Sequence, residues 1–131
     1  MTGTLNRLAP HVLSLLRIAA ALLLLQHGTT KLLGFPPTPA SGISLTTPGG
    51  LAGIFELVGG ALLLVGLFSR PTAFVLSGIT AVAYFMVHAP QNFYPILNGG
   101  ELAALYCFVF FYLTFAGPGP WSIDALRSRD A

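Results

Sequence analysis

Four long apolar runs occupy most of this chain of 131 residues. A run of about 20 mostly apolar residues crosses the roughly 30 Å hydrocarbon layer of a membrane when it folds as a helix. The sequence therefore predicts an all-α fold, an integral membrane four-helix bundle. We place its helices near residues 10–33, 49–68, 71–89 and 100–116.

The composition agrees with a protein whose main solvent is lipid. Charged residues make up 8% of the chain, against about a quarter in a soluble domain. The chain is short and shows no internal repeat, so we expect one membrane domain over residues 1–131. The lipid bilayer is its first predicted partner.

The first apolar run has a second interpretation as a secretory signal peptide, because Arg7 precedes it. Such a peptide ends in a small-residue cleavage site, and residues 26–33 contain no good one. We therefore expect the first helix to remain in the protein. Cys107 is the single cysteine, so no intrachain disulfide and no cysteine metal site is expected.

Lys and Arg are biased toward one side of the predicted membrane. Arg7 precedes the first helix, Arg70 lies between the second and third, and Arg127 and Arg129 follow the fourth. Positively charged flanks stay on the cytoplasmic side. Both termini are therefore predicted to be cytoplasmic, in a multi-pass protein of the cell membrane. The same bias accounts for the net charge of +2, and no nucleic-acid partner is expected.

Several ionisable side chains fall within the apolar runs. Projection at about 100° per residue places Arg17, Leu24 and Gly28 on one small and polar face of the first helix. In the second helix it places Glu56 in a stripe of glycines with Gly53 and Gly60, where another helix can approach closely. The topology collects five groups in the outer half of the membrane: His27, Lys31, Glu56, His88 and Glu101. Ionisable groups at membrane depth indicate a functional site by default. A purely structural network, with both glutamates paired to Lys31 and Arg17, remains the alternative.

We assign roles by side-chain chemistry. Glu56 and Glu101 are candidate catalytic groups, because carboxylates beside histidines can exchange protons near neutral pH. His27, Lys31 and His88 are candidate substrate-binding residues, although a lysine at a helix end also fits snorkelling to the headgroups. Arg17, alone in the inner half, is predicted to form a structural ion pair. No metal site is predicted.

Three stretches resemble the DoxX family of small integral membrane proteins: His27-Gly28-Thr29-Thr30-Lys31-Leu32, the run from Glu56 to Arg70, and Gly100-Glu101 with the ending from Gly117 to Asp124. The resemblance implies a four-helix membrane protein. Its characteristic polar positions here are Lys31, Glu56, Arg70 and Glu101, without assigned catalytic roles. The family takes its name from a subunit of a thiosulfate:quinone oxidoreductase, and other members are linked to membrane redox complexes.

The leading hypothesis is a membrane subunit of a quinone-linked oxidoreductase or redox complex, acting with a redox partner subunit. The chain has no flavin fingerprint or nucleotide-binding glycine loop, so no intrinsic cofactor is predicted and a quinone would diffuse in. Whether the chain is itself an enzyme stays open. The alternative is a non-enzymatic small-molecule binder, transporter or scaffold subunit. A haem held by His27 and His88, and a homo-oligomer formed through the glycine stripe, are further hypotheses.

Overall fold

The structure, a computed structural model, describes residues 1–129 and contains only helices, turns and loops over that range. The predicted domain also includes residues 130–131, which lie outside the described part. The helices are α1 (Thr2–Leu33), α2 (Pro48–Val65), α3 (Ser69–Ala83) with a π-helical turn (Tyr84–His88), α4 (Pro95–Asn98), α5 (Glu101–Ala116) and α6 (Ile123–Arg129).

Three helices are long and apolar enough to cross a membrane: α1, α2, and α3 together with its π-helical turn. The helix α5 is apolar as well, but with 16 residues it is shorter. The all-helical architecture is therefore confirmed over residues 1–129, with three helices able to span a membrane, whereas the predicted fourth span falls on this shorter helix.

The helix α1 begins at Thr2, not near Pro10 as predicted. Proline is a common first residue of a helix, which suggested the later start. Inside the helix, Pro10 removes one hydrogen bond, the one its own N–H would donate to the carbonyl of Asn6. Asn6 is exposed, so that carbonyl can be satisfied from outside the protein, and the helix continues through this position.

The helices pack mainly as two pairs, α1 with α2 and α3 with α5. Glycines allow the first pair to approach closely: a Cβ atom on Gly28 would lie 2.6 Å from the backbone nitrogen of Leu57. A Cβ on Gly60 would lie 3.2 Å from the Cα of Leu25. The predicted glycine stripe therefore contacts α1 within the chain, and a homo-oligomer through it remains a prediction.

We name the two ends of the molecule by their connections. The loop end holds the connections 34–47 and 89–100, and the terminal end holds the tight turn from Gly66 to Phe68, the first turns of α1, and residues 117–129. The apolar core lies between these ends and consists of Ala20, Ala21, Leu24, Leu63, Ala73, Leu76, Tyr106, Phe110 and Leu113.

At the terminal end, hydrogen bonds join the segment after α5 to α1. Arg17 is 1% exposed, and its guanidinium donates hydrogen bonds to the carbonyl oxygens of Pro118 and, at 2.6 Å, Trp121. The predicted ion pair of Arg17 is therefore replaced, within residues 1–129, by hydrogen bonds to backbone carbonyls. The reason is that the returning chain brings carbonyl oxygens to the buried guanidinium, which has five donors and no acceptor.

Asp124 connects the same segment to α3 by hydrogen bonds. Its two carboxylate oxygens accept hydrogen bonds from the backbone N–H groups of Phe68, at 2.9 Å, and Ser69, at 2.8 Å. These donors lie at the N-terminus of α3, where N–H groups lack helical partners. Partial burial acts to raise the pKa of Asp124, but the hydrogen bonds and the charge of Arg127 hold that pKa below its usual value.

Candidate functional site

A cavity of about 180 Å³ lies at the loop end, between α1, α2, the last part of α3 with its π-helical turn, and α5. We call it the loop-end cavity. Its apolar walls come from Leu24, Leu102 and Ala103, and Gly99 contributes backbone. Its polar lining residues are His27, Lys31, Glu56, Thr80, His88 and Tyr106.

An ion pair forms one wall of this cavity. The ammonium of Lys31 donates to both carboxylate oxygens of Glu56, each at 2.9 Å, and Glu56 is 7% exposed. A Cβ on Gly53 would lie 3.3 Å from the side chain of Lys31, so the glycine leaves room for that side chain to cross α2. Because an ammonium has three donors, Lys31 keeps one N–H beyond the two it gives to Glu56.

His88 also lines the cavity. Its Nδ1 lies 3.0 Å from the carbonyl oxygen of Asn98. A carbonyl oxygen only accepts hydrogen bonds, so this contact assigns a proton to Nδ1 and leaves Nε2 as an acceptor in the neutral ring. The π-helical turn that ends at His88 sets the position of the ring, and such turns occur often at functional sites.

The loop that holds His88 is fixed by Asn98, which is 4% exposed. Its side-chain nitrogen donates to the carbonyl of Asn92 at 2.9 Å and to the hydroxyl of Tyr84 at 3.3 Å. Its side-chain oxygen accepts from the backbone N–H of Gly100 at 2.7 Å. These hydrogen bonds connect the π-helical turn to the start of α5, so the loop fixes the position of His88.

Tyr106 is a cavity residue that the sequence analysis missed. Its side chain is 6% exposed, and its hydroxyl is buried without a hydrogen-bond partner in the described part of the chain. The ring stacks on Phe110, with centroids 5.4 Å apart, and meets His27 edge-on at 6.3 Å. A buried tyrosine hydroxyl normally has a partner, so this cavity contains an unsatisfied donor.

The sequence of α5 carries little signal for Tyr106, because this helix is apolar on nearly every side. Ala103, Tyr106, Phe110 and Leu113 recur at three and four residues, which places them on one helical face. Glu101 was instead predicted to belong to the site, because a carboxylate in an apolar run indicated a functional group. The inward face is the one that carries the hydroxyl.

Comparison with known proteins identifies the family of this chain. A family model for DoxX matches residues 12–89, which include His27, Lys31, Glu56 and His88. This chain belongs to the DoxX family.

A relative in Haemophilus influenzae (strain ATCC 51907 / DSM 11121 / KW20 / Rd), described as an uncharacterized protein, is 42% identical over 133 residues. The alignment covers 93% of this chain and 95% of the relative. No solved structure matches the chain. The family match thus covers residues 12–89, the similarity to this relative extends over nearly the whole chain, and neither comparison names a reaction.

Glu101, one of the polar positions implied by the DoxX resemblance, lies outside the loop-end cavity. It is exposed in the first turn of α5, where the helix dipole favours a carboxylate. It lines a neighbouring groove of about 430 Å³, the Glu101 groove, which shares Gly99 and Leu102 with the cavity. Glu101 therefore does not join Glu56, and its catalytic role stays a prediction.

Arg70, another such DoxX position, lies at the opposite end of the molecule. Its guanidinium donates to the carbonyl oxygens of Phe115 and, at 3.1 Å, Thr114. These carbonyls belong to the last turn of α5, which lacks helical donors. Arg70 therefore caps α5 and takes no part in the loop-end cavity.

Proposed function

We propose that this protein is the membrane subunit of a quinone-linked redox complex, and that its loop-end cavity binds the quinone head group. The observation that carries the proposal is the buried, unpartnered hydroxyl of Tyr106 in a cavity that also contains the Lys31–Glu56 ion pair. A membrane-embedded polar cavity of this kind favours a ligand that offers hydrogen-bonding oxygens on an otherwise apolar body.

The cavity contains both donors and acceptors for such oxygens. The hydroxyl of Tyr106 and the remaining N–H of Lys31 can donate to quinone carbonyl oxygens. Nε2 of His88 can accept from the hydroxyl of a quinol. Reduction of a quinone to a quinol takes up two electrons and two protons; a redox partner subunit would supply the electrons, while Glu56 and His27 would pass the protons.

The size of the cavity favours a head group over a larger ligand. Its volume of about 180 Å³ is below the roughly 300–1,000 Å³ of pockets for drug-sized ligands. This argues for a single ring and against a haem between His27 and His88. The Glu101 groove adjoins the cavity, and its apolar residues Pro95, Ile96 and Leu105 offer a path for an apolar tail.

We further propose that α5 is the fourth span and that both termini are cytoplasmic in the cell membrane. With 16 residues, α5 is about 24 Å long. A local thinning of the bilayer can accommodate a span of this length. Arg7, Arg70, Arg127 and Arg129 lie at the terminal end, which supports its placement on the cytoplasmic side.

A non-enzymatic membrane protein, which binds or transports a small molecule or serves as a scaffold, is the second candidate. The observation that favours it is that both carboxylate oxygens of Glu56 already accept hydrogen bonds from Lys31. A pair that is satisfied internally can hold α1 against α2 without any proton transfer.

Quinone binding to the protein in mild detergent separates these candidates. A short-tailed quinone is titrated by calorimetry into the wild type and into Tyr106→Phe, which removes only the hydroxyl. Loss of one hydrogen bond of about 1 kcal/mol raises Kd about fivefold. Tyr112→Phe is the matched control, because Tyr112 lies on the same helix but is 56% exposed and outside the cavity.

Two results would contradict the quinone assignment: no heat of binding with the wild type, or equal effects of the two tyrosine substitutions. Affinity purification with mass spectrometry tests the redox complex separately. A redox enzyme should copurify with the wild type, and its absence would favour the non-enzymatic candidate.

A further inference from the structure

The terminal end of the molecule carries exposed basic charge. Four arginines lie there with exposed side chains: Arg7, Arg70, Arg127 and Arg129. Arg70 is engaged by the end of α5, and the guanidinium carbon of Arg127 lies 5.3 Å from the centroid of the Phe68 ring. Arg7 and Arg129 are exposed and their side chains form no hydrogen bond or ion pair within residues 1–129, so both are available to an anionic partner.

A groove of about 550 Å³ opens beside Arg129, between the first half of α1, the end of α2 and α6. We call it the terminal-end groove. Its apolar lining residues are Val65, Pro120, Trp121, Ile123 and Leu126. Its polar lining residues are His11, Ser122 and Arg129. The groove therefore combines an apolar surface with a cationic group.

His11 lines this groove and packs against Trp121. Its Nδ1 is buried and has no hydrogen-bond partner among residues 1–129, and its ring meets that of Trp121 edge-on at 5.4 Å. Arg7 precedes His11 by four residues on α1, so the two side chains share a helical face. A ligand in the groove would thus have basic groups from α1 on one side and from α6 on the other.

We propose that the terminal-end groove binds one anionic glycerophospholipid. Arg129 and His11 would contact its phosphate, since a guanidinium matches the geometry of phosphate oxygens. Val65 and Leu126 would contact its acyl chain. Basic pockets beside membrane helices bind anionic headgroups, and tryptophan favours the headgroup level of a bilayer, where Trp121 would lie.

Charge and polarity distinguish this lipid from other occupants. Free phosphate would leave the apolar side of the groove without a partner. A second copy of the chain, docked by the same end, would bring its own arginines against these and be repelled. The proposed lipid lies at the opposite end from the quinone cavity, so either assignment can fail without the other.

Native mass spectrometry of the whole protein, released from detergent micelles, tests the lipid site. The protein is titrated with phosphatidylglycerol and with phosphatidylcholine of the same acyl chains. We expect the wild type to retain phosphatidylglycerol several-fold more tightly. Arg129→Gln should weaken that binding about fivefold, which corresponds to about 1 kcal/mol for one basic residue. Arg127→Gln removes the same charge outside the groove and should change binding less than twofold.

Equal retention of the two lipids would overturn the proposal. So would equal effects of Arg127→Gln and Arg129→Gln, because binding would then depend on total charge and not on the groove. Displacement of the lipid by inorganic phosphate would assign the site to free phosphate. A lipid-free dimer that is lost in Arg129→Gln but kept in Arg127→Gln would assign the groove to a second copy.

Discussion

Removal of the Lys31 ammonium is the sharpest test of the loop-end cavity's structure. Lys31→Met keeps most of the side-chain length that lies across Gly53, but it leaves Glu56 without its charged partner. The side chain of Glu56 is 9% exposed, so little solvent is available to replace the lost contacts. Breaking a buried pair in this way costs about 3–5 kcal/mol, and we expect a loss of folding free energy in that range.

The opposite substitution should cost less. Glu56→Gln leaves an ammonium whose side chain is 18% exposed and long enough to reach the headgroups. We expect a loss of about 1–3 kcal/mol, the cost of an unsatisfied buried polar group. The double variant Lys31→Met/Glu56→Leu should recover most of the stability of the wild type, since replacement of both charges by apolar groups is often neutral.

Reversible unfolding in mixed micelles, with increasing mole fraction of SDS, measures these free energies in a double-mutant cycle. Arg7→Met is the control for loss of an exposed charge. A change below about 1 kcal/mol for Lys31→Met would mean that the pair behaves as a solvated surface pair, which would refute the buried arrangement. If the folded double variant still binds quinone as the wild type does, the pair is structural only.

Two further predictions concern packing and the terminal end. Gly28→Ala should lower the unfolding free energy by about 1–3 kcal/mol, because its Cβ would force α1 and α2 apart; Gly78→Ala, which meets nothing within 4 Å, should not lower stability in the same SDS titration. Asp124→Asn should cost about 1–2 kcal/mol at pH 7, since one charged acceptor of two N–H bonds is lost. The pKa of Asp124 is depressed in the folded state, so its stabilisation is present above its ordinary pKa of 3.8 and is lost as pH falls through the folded value. Thermal unfolding should therefore show the two proteins converging at acid pH, and a constant difference from pH 7 to pH 3 would contradict this account.

Much of the candidate site could be predicted from the sequence in the helices that carry small and polar residues on one face. In α1, Arg17, Leu24 and Gly28 were predicted on the inward face, and all are buried. In α2, Gly53, Glu56 and Gly60 were predicted together and are buried together. These helices have one face that differs in size and polarity from the others, so the period of 3.6 residues could be read directly.

The helix α5 offered no such contrast. Its sequence is apolar on nearly every side, so periodicity did not distinguish the face of Tyr106 from that of Glu101. Glu101 was therefore predicted to belong to the site, although the helix dipole alone explains a carboxylate in the first turn. The hydrogen-bond partners of Arg17 could not be predicted either. They are the backbone carbonyls of Pro118 and Trp121, and every residue has such a carbonyl whatever its side chain.

The sequence by itself determined that this protein consists of apolar helices, where most of them begin and end, and that Glu56 faces a neighbouring helix. Those properties follow from local hydrogen bonding, helix-breaking residues and the exclusion of polar groups from lipid. The tertiary structure alone decided that Lys31 meets Glu56, that Tyr106 joins them, and that Asp124 caps α3. Such contacts depend on the relative rotation and depth of helices far apart in the chain, which are set by packing of the whole bundle.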